Sequence, residues 1–338
     1  MRVGIVGCGA SGILLILELL LRGIQPNQIL VVDTYFDGGD LQRKWGTIHS
    51  NTRWEQVRDL LHQYPSTRSA IDTLNQRYTS EQTVLLSDIA WLLHESIKHI
   101  FSDLHAITDI CNTIYVKEAT YELILSNTTE SCDILFLCQG GTPRCVDTGR
   151  PSIPLEIALN SFALRRYVKP GQIVSVFGLA HSGTIVCNHL LECGATIKGF
   201  YKSTTPFQFA RDGFYDGIKQ ESAEIADRIL SKKYDSIELY SIHDVKQLVR
   251  WISKSDWVIS CVGFKGSPIT ILDENGKEIV VSKYNAGTAQ IYKSIYGFGL
   301  AYPGVTEING IVHKDISIPS FIAQIQKCLP DILKNNQS

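Results

Sequence analysis

The sequence predicts an α/β chain of two doubly wound, three-layer halves with a small β-meander. Three observations predict it. GCGASG, Gly7 to Gly12, lies between the apolar run RVGIV and the helix-like run ILLILELLLRG. GLAHSG, Gly178 to Gly183, repeats that plan between IVSV and TIVCNHLLECG. The 338 residues, 44% hydrophobic and 20% charged, suffice for two domains that each bury a core.

In chain order, RVGIV is a fully apolar strand of the kind that a parallel sheet covers on both faces. The following helix ends at Gly23, a C-cap position, and QILVVD is the second strand, closed by Asp33. A polar, glycine-containing loop, TYFDGGDLQRKWGTIHSNT, comes next. TRWEQVRDLLHQY opens with Thr52-x-x-Glu55, a capping box, and places Trp54, Val57, Leu60 and Leu61 on one helical face. A helix is expected over LLSDIAWLLHESIKHIF, capped by Ser87 or Asp88. TIYVKEA and YELILS read as a small meander, and DILFLC returns as a buried strand into QGG.

A domain junction is expected between Pro143 and Pro170. Beyond it QIVSVFGLAHSGTIVCNHLLECGATIKGFYKS repeats strand, turn, helix and strand, with Gly194 in the role of Gly23. A helix-rich stretch over about 216–252, the buried strand WVISCVG, the run IYGFGLAYPG and a helix over 319–333 complete the chain.

Charge and cysteine usage exclude several classes. A net charge of −2 with dispersed Lys and Arg gives no basis for nucleic acid or an anionic membrane as partner. Nine cysteines, an odd number without C-x-x-C and several of them inside apolar runs, suit buried reduced thiols in the cytoplasm. The opening run ILLILELLL contains Glu18 and lacks a cleavage site, so a signal peptide is not expected, and no apolar stretch is long enough to span a membrane. His49 and His181 have no neighbours at metal-ligand spacing, and GLAHSG does not satisfy G-x-S-x-G.

The first turn satisfies G-x-G-x-x-G with Gly7, Gly9 and Gly12, and Ala10 and Ser11 open the helix. These glycines permit a tight turn, close approach to a pyrophosphate and close packing of helix on strand. Free N–H groups and the positive end of the helix dipole favour the anion. Asp33, 21 residues beyond Gly12, suits the ribose hydroxyls of an adenine nucleotide. The second turn keeps Gly178 and Gly183 around Ala180, His181 and Ser182. Its second strand ends KGFYKS, with Lys198, Lys202 and no carboxylate, a pattern that suits the 2′-phosphate of NADPH.

Carried by GCGASG with Asp33, GGDLQRKW…SNT, DILFLCQGG, and GLAHSG with WVISCVG, the chain resembles the two-dinucleotide-binding flavoproteins over nearly its whole length. These are the flavin-dependent monooxygenases, the thioredoxin-reductase-like enzymes and their relatives. The resemblance implies an FAD domain at 1–146 and 285–338, and an NAD(P)-binding domain at 147–284. It implies FAD contacts from Trp45, from Gly140 of QGG and from Gly299 of YGFGLAYPG, where the reductases carry G-x-G-D. Dithiol reductases need a cysteine pair beside the flavin, and the loop after Asp33 has none. The loop ending SNT looks like the flavin-proximal loop of class B monooxygenases, and the residue matching their asparagine is Asn51. That residue reads equally as part of a helix cap with Ser50 and Thr52. The signature F-x-G-x-x-x-H of that family is not found, and IALNSFALRRYVKPG occupies its place. FQFARDGFYDG, 207–217, reads either as a packed connector or as a substrate-facing loop. The implied activity is an FAD- and NADPH-dependent oxidoreductase, monooxygenase-like and acting on a small molecule. The alternatives are an NAD(P)H-dependent flavin reductase with another acceptor, and a non-catalytic dinucleotide-binding protein.

Overall fold

The computed structural model describes residues 1–203, 206–207, 221–231, 234–281, 284–308 and 311–336. FQFARDGFYDG thus lies, beyond Phe207, outside the described residues. The chain divides into two compact units. One comprises Met1–Gly46, Arg53–Thr142 and Lys265–Ser338, and the other Thr47–Thr52 and Pro143–Phe264.

The first unit opens with β1 (Val3–Val6), α1 (Ala10–Leu21) and β2 (Ile29–Asp33). β1 lies between β2 and β3 (Ile134–Leu137), parallel to both, with Val3 opposite Ile29 and Ile134. Every residue of β1 and β3 is buried, which is why these strands read as unbroken apolar runs. The sheet runs Gln290–Tyr292, Ile295–Gly297, β3, β1, β2, His105–Thr108.

One face of that sheet packs under α1 and the helices Leu86–Lys98 and Ile318–Asn335, through residues such as Ile5, Val31, Phe136, Leu93 and Ile325. The other face, with Leu30, Val32, Leu135 and Leu137, packs on Ile114, Leu123 and Ile271 of a second sheet. These are the three expected layers. The second sheet is the meander Thr113–Val116, Tyr121–Ile124, Thr129–Cys132, extended by Thr270–Leu272 pairing parallel to its first strand. That pairing places 265–284 with the first unit, whereas the sequence reading assigned it to the second.

Two expected caps do not form. Ser50, Asn51 and Thr52 lie in the strand His49–Arg53, and Arg53 precedes the helix Trp54–Leu61 without a side-chain cap bond. The helix Leu86–Lys98 starts ahead of Ser87, so Asp88 sits inside its first turn. There a carboxylate suits the helix dipole, and it accepts from the Tyr78 hydroxyl at 2.6 Å.

The second unit is built on β4 (Ile173–Phe177), α2 (His181–Glu192), β5 (Thr196–Tyr201) and β6 (Trp257–Ser260). Its parallel sheet runs Ile237–Ser241, β5, β4, β6. Phe177, Phe200, Tyr240 and Trp251 follow one another with ring centroids 5.1, 6.0 and 6.4 Å apart. Among the described residues no helix is long and apolar enough to cross a membrane.

Candidate functional site: two glycine turns of one geometry

The two turns are the same construction built from different residues. Gly7 N–H donates to the Val32 carbonyl at 2.8 Å, and Cys138 N–H to Val6 at 2.7 Å. Gly178 N–H donates to Phe200 at 2.8 Å, and Cys261 N–H to Phe177 at 2.7 Å. The residues before the helices, Gly9 (φ −77°, ψ −162°) and Ala180 (φ −82°, ψ −161°), share one backbone conformation. Each helix has 12 residues and ends in a Schellman motif at Gly23 or Gly194.

This equivalence separates glycines needed by the fold from those left for a ligand. Gly7 and Gly178 have φ of +98° and +87°, and a side chain on either would strike the carbonyl of Cys138 or Cys261. A side chain on Gly12 or Gly183 would fall on the Gly7 or Gly178 carbonyl oxygen, so helix and turn touch there. Gly9 is different: its nearest neighbour to an added Cβ is Gly39 Cα at 3.8 Å, and its φ suits any residue. Ala180 at the equivalent place is therefore unstrained. The glycine at position 9 keeps the approach to the helix open and is not demanded by the backbone.

Neither helix carries a side-chain cap or an acidic residue in its first turn. Among the described residues no side chain of the first turn thus competes with an anion for either helix N-terminus, as a bound diphosphate requires. Beside the first turn, Gln139 donates through Nε2 to the Ser267 carbonyl at 3.2 Å, while its buried Oε1 has no partner among the described residues. A buried acceptor of this kind is costly unless a ligand or water supplies a donor. Both observations fit a dinucleotide at the first turn. Gln139 was not singled out in the sequence. The only signal was its place between the third strand and Gly140.

The ends of the second strands differ as their sequences do. Asp33 closes β2, where Oδ2 accepts from Cys8 N–H at 2.7 Å and Oδ1 from Tyr35 and Phe36 N–H at 2.9 and 3.1 Å. The carboxylate thus holds the turn while keeping acceptor capacity for hydroxyls. Tyr201 takes the equivalent place, so the second strand of this unit ends without a carboxylate. Lys202, the next residue, is exposed. Lys198 is instead 4% exposed, paired with Glu238 at 3.0 Å and held 3.8 Å over the Trp251 ring. Of the two lysines in KGFYKS, only Lys202 reaches solvent.

The remaining candidates fall as follows. Ser11 is buried in the first turn of α1, and Gly299 (φ +83°) comes so close that a Cβ there would meet Ser11 Oγ. The run YGFGL is thereby seated on the first turn. Gly140, at φ +68°, has open space around it, and Trp45 is buried. Asn51 groups with the second unit, and its Oδ1 accepts from Thr52 Oγ1 at 3.5 Å. Ser182 is half-buried in the first turn of α2. His181, the first residue of α2, has Nδ1 2.9 Å from Ser222 Oγ, and its ring is hydrogen-bonded to the His49 backbone. Burial holds its pKa below the ordinary histidine value, with the His49 bond working against that shift.

All nine cysteines are free, and only Cys145 is exposed. Burial pushes the Cys138 and Cys187 thiols up to about 12. Such thiols are inert, in keeping with the missing dithiol motif. Among the described residues no cluster could hold a metal ion.

Solved structures share this fold of two largely parallel sheets, each built on a strand, a glycine turn and a helix. Bacillithiol disulfide reductase Bdr from Staphylococcus aureus superposes with a TM-score of 0.61 at 12% identity, over 99% of this chain and 98% of that one. OTEMO in complex with FAD and NADP superposes with a TM-score of 0.60 at 12% identity, over 100% of this chain and 85% of that one. In sequence the chain is similar to monooxygenase AgnR1 of Paecilomyces divaricatus, 21% identical in an alignment that covers 88% of this chain and 89% of that protein. No family model matches the chain.

Proposed function

We propose that the protein is an FAD-dependent oxidoreductase that uses NADPH to reduce its flavin and passes the electrons to oxygen, oxidising a small molecule. The observation that carries this reading is the repeated turn, open at Gly9 and Ala180 and uncapped at both helices. The similarity to a monooxygenase over most of both chains supports oxygen as acceptor. So does the loop after Asp33, which lacks the cysteine pair that a disulfide reductase needs.

Bound FAD supplies the hydride acceptance and the oxygen chemistry. The chain's own residues bind and orient. In this reading the α1 N-terminus with Gly9, Ala10 and Ser11 holds the FAD diphosphate, and Asp33 takes ribose hydroxyls. Trp45, Gly140 and Gly299 complete its cradle. The α2 N-terminus with Ala180, His181, Ser182 and Gly183 holds the NADPH diphosphate, and Lys202 takes the 2′-phosphate. With flavin bound, the Asn51 amide would serve as a hydrogen-bond donor to the reacting oxygen, the role its match to the class B loop implies. A cytoplasmic setting fits the nine free thiols.

Purified protein is expected to absorb as oxidised flavin, or to do so after reconstitution with FAD. Anaerobic NADPH should bleach it faster than NADH. On admitting labelled O₂, the label should enter an oxidised product. Protein that takes up no FAD would overturn the reading. Bleaching without oxygen incorporation, combined with rapid transfer to an artificial acceptor, would replace the monooxygenase by a flavin reductase.

A further inference from the structure

His181 raises a question that the dinucleotide reading leaves open. Its counterpart in the first turn is Ala10, a residue with nothing to bind. The imidazole is held on two sides, by Ser222 Oγ at 2.9 Å from Nδ1 and by the backbone of His49. Ser222 is 2% exposed and lies at the start of the helix Glu221–Leu230. His49 begins the strand that carries Asn51, and Thr47–Thr52 packs as part of the second unit although 90 residues of the first unit follow it (53–142). Within that segment Ser50 Oγ donates to the Thr52 carbonyl at 2.8 Å, and Thr52 Oγ1 to Asn51 Oδ1. An unbroken series of contacts thus runs from the first residue of α2 to Asn51.

We propose that His181 is a positioning residue, which fixes the Thr47–Thr52 segment to the first turn of α2 so that nucleotide bound at the second glycine turn is felt at Asn51. The proposal rests on the reading of that turn as the NADPH site. The ring is rigid, with two hydrogen-bonding edges, and joins three pieces of chain at the place where the nucleotide diphosphate is held. A nucleotide that orders the α2 N-terminus therefore orders His181, and His181 orders the strand.

The test is amide hydrogen exchange, followed by mass spectrometry over peptides covering residues 47–52, on the full chain with and without NADP⁺. Without nucleotide, His181→Ala should speed exchange over 47–52 by about tenfold while peptides over β4 stay unchanged. His181→Gln, which restores a hydrogen-bonding group at the ring's reach, should return most of the protection. NADP⁺ should slow exchange at both the second turn and 47–52 in the wild type, but only at the turn in His181→Ala. Equal exchange over 47–52 in wild type and His181→Ala overturns the proposal, and so does NADP⁺ protection of that segment surviving in the variant. Should His181→Ala fail to fold, Ser222→Ala decides, with a rise of about threefold expected and no rise overturning it. NADP⁺ protection absent from the whole second unit of the wild type would overturn the reading of the turn, and the transmission with it. The nucleotide-free comparison shows that failure apart from a failure of the His181 link.

Discussion

The Tyr64 hydroxyl donates to the Glu18 carboxylate at 2.5 Å, inside the core of the first unit. Glu18 is fully buried in α1, and Arg22 Nη1 at 2.5 Å and Gln326 Nε2 at 2.8 Å complete its partners. A carboxylate taken from water is tolerated only when paired and hydrogen-bonded, as it is here. Removing one partner should therefore cost more than the bond itself. Tyr64→Phe is expected to destabilise the first unit by about 1–3 kcal/mol, and Arg22→Ala by about 3–5 kcal/mol. Urea denaturation of the two variants checks this. Glu18→Gln, which removes the charge, should cost less than Arg22→Ala.

The glycine turns should separate a fold effect from a ligand effect. Gly178→Ala combines φ of +87° with a clash on the Cys261 carbonyl, so a loss of about 2–4 kcal/mol is expected. Gly9→Ala meets nothing closer than 3.8 Å and should leave stability within about 0.5 kcal/mol of wild type. Its added methyl should still weaken FAD binding, by about tenfold, measured by quenching of flavin fluorescence. Equal losses of stability in the two variants would contradict the division between glycines that the backbone demands and those left for a ligand.

Lys202 and Lys198 should part in the same way. Lys202→Ala is expected to raise the KM for NADPH by about tenfold with little change for NADH, because only the former carries a phosphate for it to meet. Lys198→Ala should leave that ratio unchanged and lower the melting temperature, since its ammonium is spent on Glu238 and Trp251. Steady-state kinetics with both nucleotides distinguishes them.

His181 should make the second unit sensitive to acid. Burial lowers its pKa in the folded chain, so the folded state binds its proton less readily than the unfolded state does. The stability it contributes is then fully present above about pH 6.5, the unfolded value, and falls as pH drops below it toward the folded value. Denaturation midpoints of wild type and His181→Gln, compared between pH 8 and 5 (roughly the histidine range), should converge as the pH falls. Parallel profiles would mean that the imidazole takes up its proton alike in both states, against the effect of burial.

How much of this was legible beforehand depends on range along the chain. Both βαβ units, their glycine turns and the apolar strands were readable because periodicity and turn chemistry are local. Asp33 was visible as the residue closing a strand, yet its three backbone N–H partners were not. The expected caps at Thr52, Ser87 and Asp88 failed because a strand through Asn51 and an earlier helix start took precedence over local capping preference. The fate of 265–284 was hidden too, because Thr270–Leu272 finds its partner some 150 residues back, in Thr113–Val116. Lys198 and Lys202 looked alike in KGFYKS, and only Trp251 and Glu238 tell them apart. Ser222 carried no signal at all, since its meaning comes from a histidine 41 residues away.

The Thr47–Thr52 segment also limits how the molecule can be taken apart. A clone of residues 143–264 alone would seem a natural cassette for the second unit, yet it would leave six of that unit's residues behind on the other fragment. His181 would keep Ser222 and lose His49, exposing a polar ring edge where the intact chain is closed. Supplying the missing strand as a separate peptide should restore that bond, and the regained stability would measure what those six residues contribute.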